Sequence, residues 1–282
     1  MNESLDALAA LCRRGPLVVL TGAGLSTESG IPDYRGPETA RRAREPMRFA
    51  DFVRSPEGRA RYWARSFVGW PRLRDARPNA GHRALAALEA AGVVRAVLTQ
   101  NVDRLHHAAG SRAVVELHGA LAEVVCLGCE ERSPREALQA RLAACNPAFA
   151  AQVASGMRDG EQRPDGDAEL DVEGFVVPAC LRCGGELKPD VVFFGESVPP
   201  ARVQAAMDTL TGAGVLVVLG SSLTVWSGYR FVRAAAKDGV PRAIVNLGPT
   251  RGDALADLRI EASTGVVLPA LCERLGVKAP DV

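Results

Sequence analysis

The chain has 282 residues, of which 47% are hydrophobic and 24% charged, with a formal net charge of +1. That length suits one large domain, or one domain carrying a smaller inserted module, and the apolar content excludes the disordered class. So balanced a charge supplies no global field for nucleic acid or a membrane surface, and no run of 18 apolar residues offers a membrane-spanning helix, so neither is expected as a partner.

Residues 1–14 read as an amphipathic helix ended by Gly15-Pro16. The segment carries acid near its start and lacks a basic stretch followed by an apolar run, so it does not read as a signal peptide, and a cytoplasmic protein is expected. Short apolar runs at 16–24, 93–101, 113–119, 214–222 and 242–248 read as buried strands, with 191–196 a further candidate. Helical patterns lie between them at 79–91, 102–109, 199–211, 227–238 and 265–275. Apolar strands alternating with helices predict an α/β fold, a doubly wound parallel sheet of Rossmann-like type whose ligands gather at the carboxyl ends of the strands.

Residues 120–190 break this rhythm. They hold two Cys-x-x-Cys pairs, Cys126/Cys129 and Cys180/Cys183, a helix pattern at 134–144 and a Gly- and Asp-rich loop at 155–174. The resulting domain reading is a nucleotide-binding domain of residues 1–119 and 191–282, with an inserted module at 120–190. Each pair places two thiolates on one tight turn, and two such turns can close a tetrahedron around Zn²⁺. The 50 residues between the pairs (130–179) exceed ribbon spacing, so the module must tolerate an insertion. A redox pair or an iron–sulfur site is the alternative; a thioredoxin-like pair would follow a strand and open a helix, which neither pair does. Four protein thiolates leave no position for water, so the metal is expected to be structural. Cys12, Cys145 and Cys272 fall in helix patterns and read as buried or idle thiols.

Gly22-Ala23-Gly24 after a buried strand is half of a dinucleotide fingerprint without its third glycine, and alone it is equally a packing device. The continuation TGAGLSTESGIPDYRG (21–36) is more specific, with Ser26 as a hydroxyl donor and Asp33, Tyr34 and Arg35 in a row. Together with TQNVD (99–103), ELHG (116–119), the cysteine pairs, KPDVVFFGE (188–196), GSSLTV (220–225) and VNLGPT (245–250), it resembles the signatures of the sirtuin family, in family order across residues 16–270.

The resemblance implies an NAD-binding domain with a small zinc module, and it assigns roles by position. Gly22, Ala23, Gly24 and Ser26 would cradle the NAD phosphates. Asp33, Tyr34 and Arg35 would close over the nicotinamide ribose, Tyr34 standing where many sirtuins carry phenylalanine. Gln100, Asn101 and Asp103 would hold the nicotinamide ribose and carboxamide region. Gly220, Ser221 and Ser222 would bind the adenosine side, Ser221 replacing the commoner threonine. Asn246, Leu247 and Gly248 would flank the adenine ribose, with Thr264 a further adenine-side candidate. His118 and Asn101 are the expected catalytic residues. A lone histidine is more often packed than catalytic, but His118 ends an apolar strand at the ligand edge, and an imidazole near neutral pKa suits proton abstraction. His82, His106 and His107 lie in helical contexts and read as ordinary packing or surface residues.

The implied reaction is NAD-dependent deacylation of protein lysine, yielding nicotinamide, acyl-ADP-ribose and free lysine, with zinc taking no part. The acyl-lysine peptide would pair as a strand with Phe194-Gly195-Glu196 and with the segment from Gly220 to Val225. Tyr62 and Arg65, three apart on an expected short helix at 61–71, share a face and together suit a carboxylate. This stretch resembles the mitochondrial and bacterial class II-like sirtuins known for removing bulkier or acidic acyl groups; a surface helix is the plainer reading. ADP-ribosyl transfer to protein is the alternative activity. A non-enzymatic reader would be expected to lose His118 or Asn101, which this chain keeps, and a hydride-transferring dehydrogenase would need the missing third glycine. A monomer is expected.

Overall fold

The computed structural model describes residues 2–33, 47–156 and 172–278. Its helices and strands in chain order are α1 (Asn2–Cys12), β1 (Leu17–Thr21), α2 (Phe49–Arg54), α3 (Pro56–Asp75), α4 (Ala80–Ala90), β2 (Val94–Thr99), α5 (Leu105–Ala108), β3 (Val114–Glu116), β4 (Gly119–Cys126) and β5 (Arg132–Pro134). There follow α6 (Arg135–Cys145), α7 (Pro147–Ala154), β6 (Leu187–Val191), α8 (Pro200–Leu210), β7 (Val215–Leu219), α9 (Trp226–Lys237), β8 (Arg242–Val245), β9 (Leu258–Ile260) and α10 (Thr264–Arg274). The contacts divide the chain into two units, one of Met1–Ala43, Arg77–Leu117 and Val198–Val282, the other of Arg44–Ala76 and His118–Ser197.

The first unit is built on a six-stranded, all-parallel sheet in the order β3-β2-β1-β7-β8-β9. Every residue of β1 (LVVLT) and β7 (VLVVL) is buried, the pattern of strands covered on both faces. The strand period of two divides them: Leu17 and Val19 pack with Leu8 of α1, Leu85 and Leu88 of α4 and Leu268 of α10, while Val18 and Leu20 pack with Leu210 of α8 and Phe231 and Val232 of α9. The strand order reverses between β1 and β7. In a doubly wound sheet that switch point opens a crevice at the carboxyl ends of the strands, where ligands bind.

The second unit holds a three-stranded antiparallel sheet, β5-β4-β6. Its core is aromatic: Phe52, Tyr62, Trp63 and Phe193 pack edge-on or tilted at centroid distances of 5.1–5.5 Å. Arg135, almost fully buried, sits with its guanidinium 5.3 Å from the ring centroids of both Trp63 and Trp70, a cation–π arrangement that offsets part of its desolvation.

Three expectations change. The helix expected at 61–71 runs from Pro56 to Asp75, because Ser55 caps it by accepting from Gly58 N–H at 3.0 Å and Pro56 occupies a first-turn position. The strand expected at 191–196 lies instead at Leu187–Val191, where it pairs antiparallel with β4, and Phe194 makes a single bridge to Arg48. Residues 44–76, read with the sheet domain, group with the second unit, because Phe52 of α2 and Tyr62 of α3 pack on Phe193.

Candidate active site

The loops that follow β1, β2, β7 and β8 carry the residues singled out in the first unit. The turn after β1 lies hard against the turn after β7. Gly22 N–H donates to Leu219 C=O at 3.0 Å and Gly24 N–H to Gly220 C=O at 2.9 Å. A Cβ on Gly22 would stand 2.7 Å from Ser221 Cβ, and one on Gly220, whose φ is +60°, would stand 2.5 Å from Leu25 N. These glycines are therefore required by the approach of one backbone to another. The chain then makes two short 3-10 turns, Ala23–Leu25 and Thr27–Ser29, in place of an α-helix.

Asn101 ties the loop after β2 to the one after β1. Its Nδ2 donates to Gly22 C=O and to Ser26 Oγ, both at 3.1 Å. Ser26 Oγ donates to Asp103 Oδ2 at 2.7 Å, and Asp103 Oδ1 accepts Leu105 N–H at 2.9 Å. Desolvation raises the Asp103 carboxyl above its ordinary value, against the Leu105 amide and the Ser26 hydroxyl, which favour the ionised form. On the other side of the switch point Ser221 Oγ donates to Gln100 Oε1 at 2.7 Å. Ser222 Oγ lies 3.0 Å from Thr224 Oγ1. Asn246 Nδ2 donates to Leu247 C=O at 2.8 Å and Gly248 C=O at 3.1 Å, which shapes the turn after β8. Thr264 is buried and is the first residue of α10, behind the Ser263 cap.

In the second unit Cys126, Cys129, Cys180 and Cys183 converge, their sulfurs all within 4.8 Å of one another. The Cys126–Cys183 and Cys129–Cys180 Sγ separations are 3.5 and 3.8 Å. A tetrahedral zinc with bonds of about 2.3 Å needs edges of about 3.8 Å, so the donor set fits the ion in kind and in size. The amides of Gly128 and Gly185 donate to Cys126 and Cys183 sulfurs at 3.3 and 3.4 Å, support suited to thiolates. Elsewhere in this unit Glu196 pins the turn it belongs to: its carboxylate accepts Phe193 N–H at 2.8 Å and pairs with buried Lys188 at 3.0 Å. Phe194 C=O accepts Phe49 N–H at 2.9 Å. Tyr62 is buried against Phe52 and Phe193, and Arg65, one turn on, is half-buried. His118 opens the second of this unit's two segments; it is half-buried, and its carbonyl accepts Val192 N–H at 2.9 Å.

A Sir2 family model matches residues 22–227. The NAD-dependent protein deacetylase 1 of Streptomyces coelicolor is 52% identical over 99% of this chain and 93% of its own length. The mitochondrial NAD-dependent protein lipoamidase sirtuin-4 of Bos taurus is 48% identical over 96% of this chain and 86% of its own. The chain belongs to the Sir2 family. A solved structure of Sir2 with a p53 peptide and NAD+ superposes on this sirtuin with a TM-score of 0.74 at 31% identity, covering 96% of this chain and 98% of that one.

The Gly22–Gly24, Gln100–Asp103 and Gly220–Ser222 segments meet at the switch point, while Asn246–Gly248 follow β8, one strand farther along the sheet. Two details differ from the sequence reading. Ser26 is buried and its proton is spent on Asp103, so it braces the loop instead of presenting a donor. The Gly22 and Gly24 amides are likewise engaged, and in this turn Ala23 N–H is the one without a partner among the described residues. Tyr34 and Arg35 lie outside the described residues; Asp33 is described and half-buried. Sequence reasoning missed Thr21, Thr99 and His106, whose side chains bond one another directly beneath these loops. Their only signal was position, at the last residue of two neighbouring strands and early in the helix that follows.

Proposed function

We propose that this sirtuin is an NAD-dependent protein lysine deacylase that yields nicotinamide, acyl-ADP-ribose and free lysine. The observation that carries the reading is the convergence of the glycine turn, Asn101, Asp103 and Ser221 on the sheet's switch point in a Sir2 chain. The fit to a dinucleotide is physical: Ala23 N–H is free to meet a phosphate, and Asn101 Oδ1 has no partner among the described residues. NAD, when bound, supplies an activated sugar carbon that accepts the acyl oxygen.

The chain's own residues then have distinct tasks. Ala23 N–H meets a phosphate in the turn that Gly22 and Gly24 shape, Asp33, Gln100, Asn101 and Asp103 order the nicotinamide ribose, and Gly220, Ser221, Ser222, Asn246, Leu247, Gly248 and Thr264 take the adenosine end. His118 accepts a proton from the ribose hydroxyls. Phe194, Gly195 and Val225 present backbone to the substrate strand, while Glu196 fixes its own turn through Lys188. The four cysteines hold zinc as a brace for the 120–190 module and leave it no open position.

Tyr62 and Arg65 favour an acidic or bulky acyl end, so removal of succinyl- or glutaryl-type groups falls in Arg65→Met while deacetylation is spared. No helix among the described residues is long and apolar enough to cross a membrane. A monomer in the cytoplasm, without nucleic-acid or membrane partners, completes the reading. The test is a panel of acyl-lysine peptides with and without NAD, read by mass spectrometry. NAD-dependent peptide deacylation supports it; a protein gaining ADP-ribose with no peptide turnover moves the activity to ADP-ribosyl transfer.

A further inference from the structure

Beneath the loops of the sheet unit lies a buried polar cluster that the reaction above does not use. Thr21 and Thr99 end β1 and β2 at paired register, and their hydroxyls bond each other at 2.8 Å. His106 of α5, 1% exposed, sets its Nε2 3.0 Å from Thr21 Oγ1. Thr99 Oγ1 also accepts the backbone N–H of Asn101 at 3.1 Å. An unbroken chain of hydrogen bonds therefore runs from an imidazole to the backbone of the residue that grips Gly22 and Ser26.

The proton positions are set by the surroundings. With the Thr21 proton given to Thr99, His106 donates from Nε2, and its Nδ1 is left as a buried acceptor without a partner among the described residues. Fully buried His82 stands beside it, the ring centroids 5.0 Å apart. His82 Nδ1 accepts Asn79 N–H at 3.4 Å, so its proton sits on Nε2, a buried donor also without a partner among the described residues. Asn79 in turn donates from Nδ2 to Leu25 C=O at 2.7 Å, reaching the glycine turn from behind. Both rings are neutral here, because burial holds each below the ordinary histidine range. An apolar side chain would fill the volume of His106 and leave the Thr21 oxygen without the donor that the imidazole supplies, so packing alone does not account for an imidazole.

We propose that His106 is a positioning residue: through Thr21 and Thr99 it fixes the backbone amide of Asn101 and so aims the Asn101 carboxamide at the nicotinamide end of bound NAD. This rests on the NAD-site reading given above. It requires no contact between His106 and either substrate.

The experiment measures kcat and KM for NAD at saturating acyl-lysine peptide, and the peptide KM at saturating NAD, for the full chain and for His106→Leu, His106→Gln, Thr99→Val and the His106→Leu/Thr99→Val double variant. The expected result is a loss of about tenfold in kcat/KM for NAD in His106→Leu and in Thr99→Val, with the peptide KM unchanged. His106→Gln, whose amide can donate from near the Nε2 position, recovers most of that loss. The double variant is no worse than the poorer single one, because both cut the same chain. Wild-type NAD kinetics in Thr99→Val, which keeps the side-chain shape, would overturn the proposal. So would additive losses, or losses shared equally with the peptide, as expected of general damage to the fold. If His106→Leu does not fold, Thr99→Val and His106→Gln decide the matter. If the wild-type chain deacylates no peptide, the reaction assigned above has failed, and NAD affinity measured by calorimetry on the same variants still decides the role of His106.

Discussion

Asn101 Nδ2 stands 3.1 Å from the carbonyl oxygen of Gly22, so one carboxamide couples the loop after β2 to the turn after β1. The same Nδ2 reaches Ser26, which passes the connection on to Asp103. In Asn101→Ala both acceptors lose a buried donor, a stability cost of about 1–3 kcal/mol. NAD-dependent turnover is expected to fall by about 100-fold or more, since orientation is lost as well as a contact. Steady-state kinetics beside a denaturant melt separate the two; a variant with wild-type turnover would remove Asn101 from the site.

The turns after β1 and β7 are packed backbone to backbone, and this bears on Gly220. Alanine there would place Cβ 2.5 Å from Leu25 N at a φ of +60°. The strain and overlap together are expected to cost roughly 2–5 kcal/mol. Chemical denaturation of Gly220→Ala checks this, and a midpoint equal to wild type would mean that the two turns are not in contact in solution.

Zinc is expected at about one ion per chain, bound by Cys126, Cys129, Cys180 and Cys183. Because a structural ion contributes on the order of 10 kcal/mol to its module, a strong chelator or Cys180→Ser should melt residues 120–190 and lower the transition temperature of the chain. Metal analysis with hydrogen exchange across the module reads this directly. Full stability in metal-free protein would show that the sulfurs cluster without an ion.

The buried histidines predict an acid limit. Burial is the main cause that brings His82 down to about 4, aided by the Arg83 charge, and it also depresses His106, which faces His82 and His107. A histidine with a folded pKa below its unfolded one binds fewer protons when folded. Its contribution is complete above the ordinary histidine range near 6.5 and is lost as pH falls toward 4, on the order of 3 kcal/mol for His82. Asp103, raised in the fold, acts in the opposite sense, toward the ordinary carboxylate range. Unfolding free energy followed from pH 7 to pH 4 should therefore drop, and His82→Gln should flatten the slope.

Much of this was legible in the sequence because it rests on local patterns. The period of apolar runs gives β1, β2, β7 and β8, and paired Cys-x-x-Cys turns give the sulfur cluster. What escaped was set by partners distant in the chain. β6 reads as polar through Lys188, Pro189 and Asp190, yet it is a strand because β4 pairs with it and Lys188 finds Glu196. Residues 44–76 join the second unit through aromatic contacts that no local period encodes. His106 sits in a four-residue helix where a histidine carries no signal, and only the meeting of β1 with β2 reveals its partner.

The most direct test of the catalytic assignment is product stoichiometry. An acyl-lysine peptide incubated with NAD is followed by mass spectrometry for the wild type and for His118→Ala. One nicotinamide and one acyl-ADP-ribose should appear for every lysine freed, and lysine release should be nearly abolished in the variant. Lysine freed without consumption of NAD, or undiminished release from His118→Ala, would contradict the account.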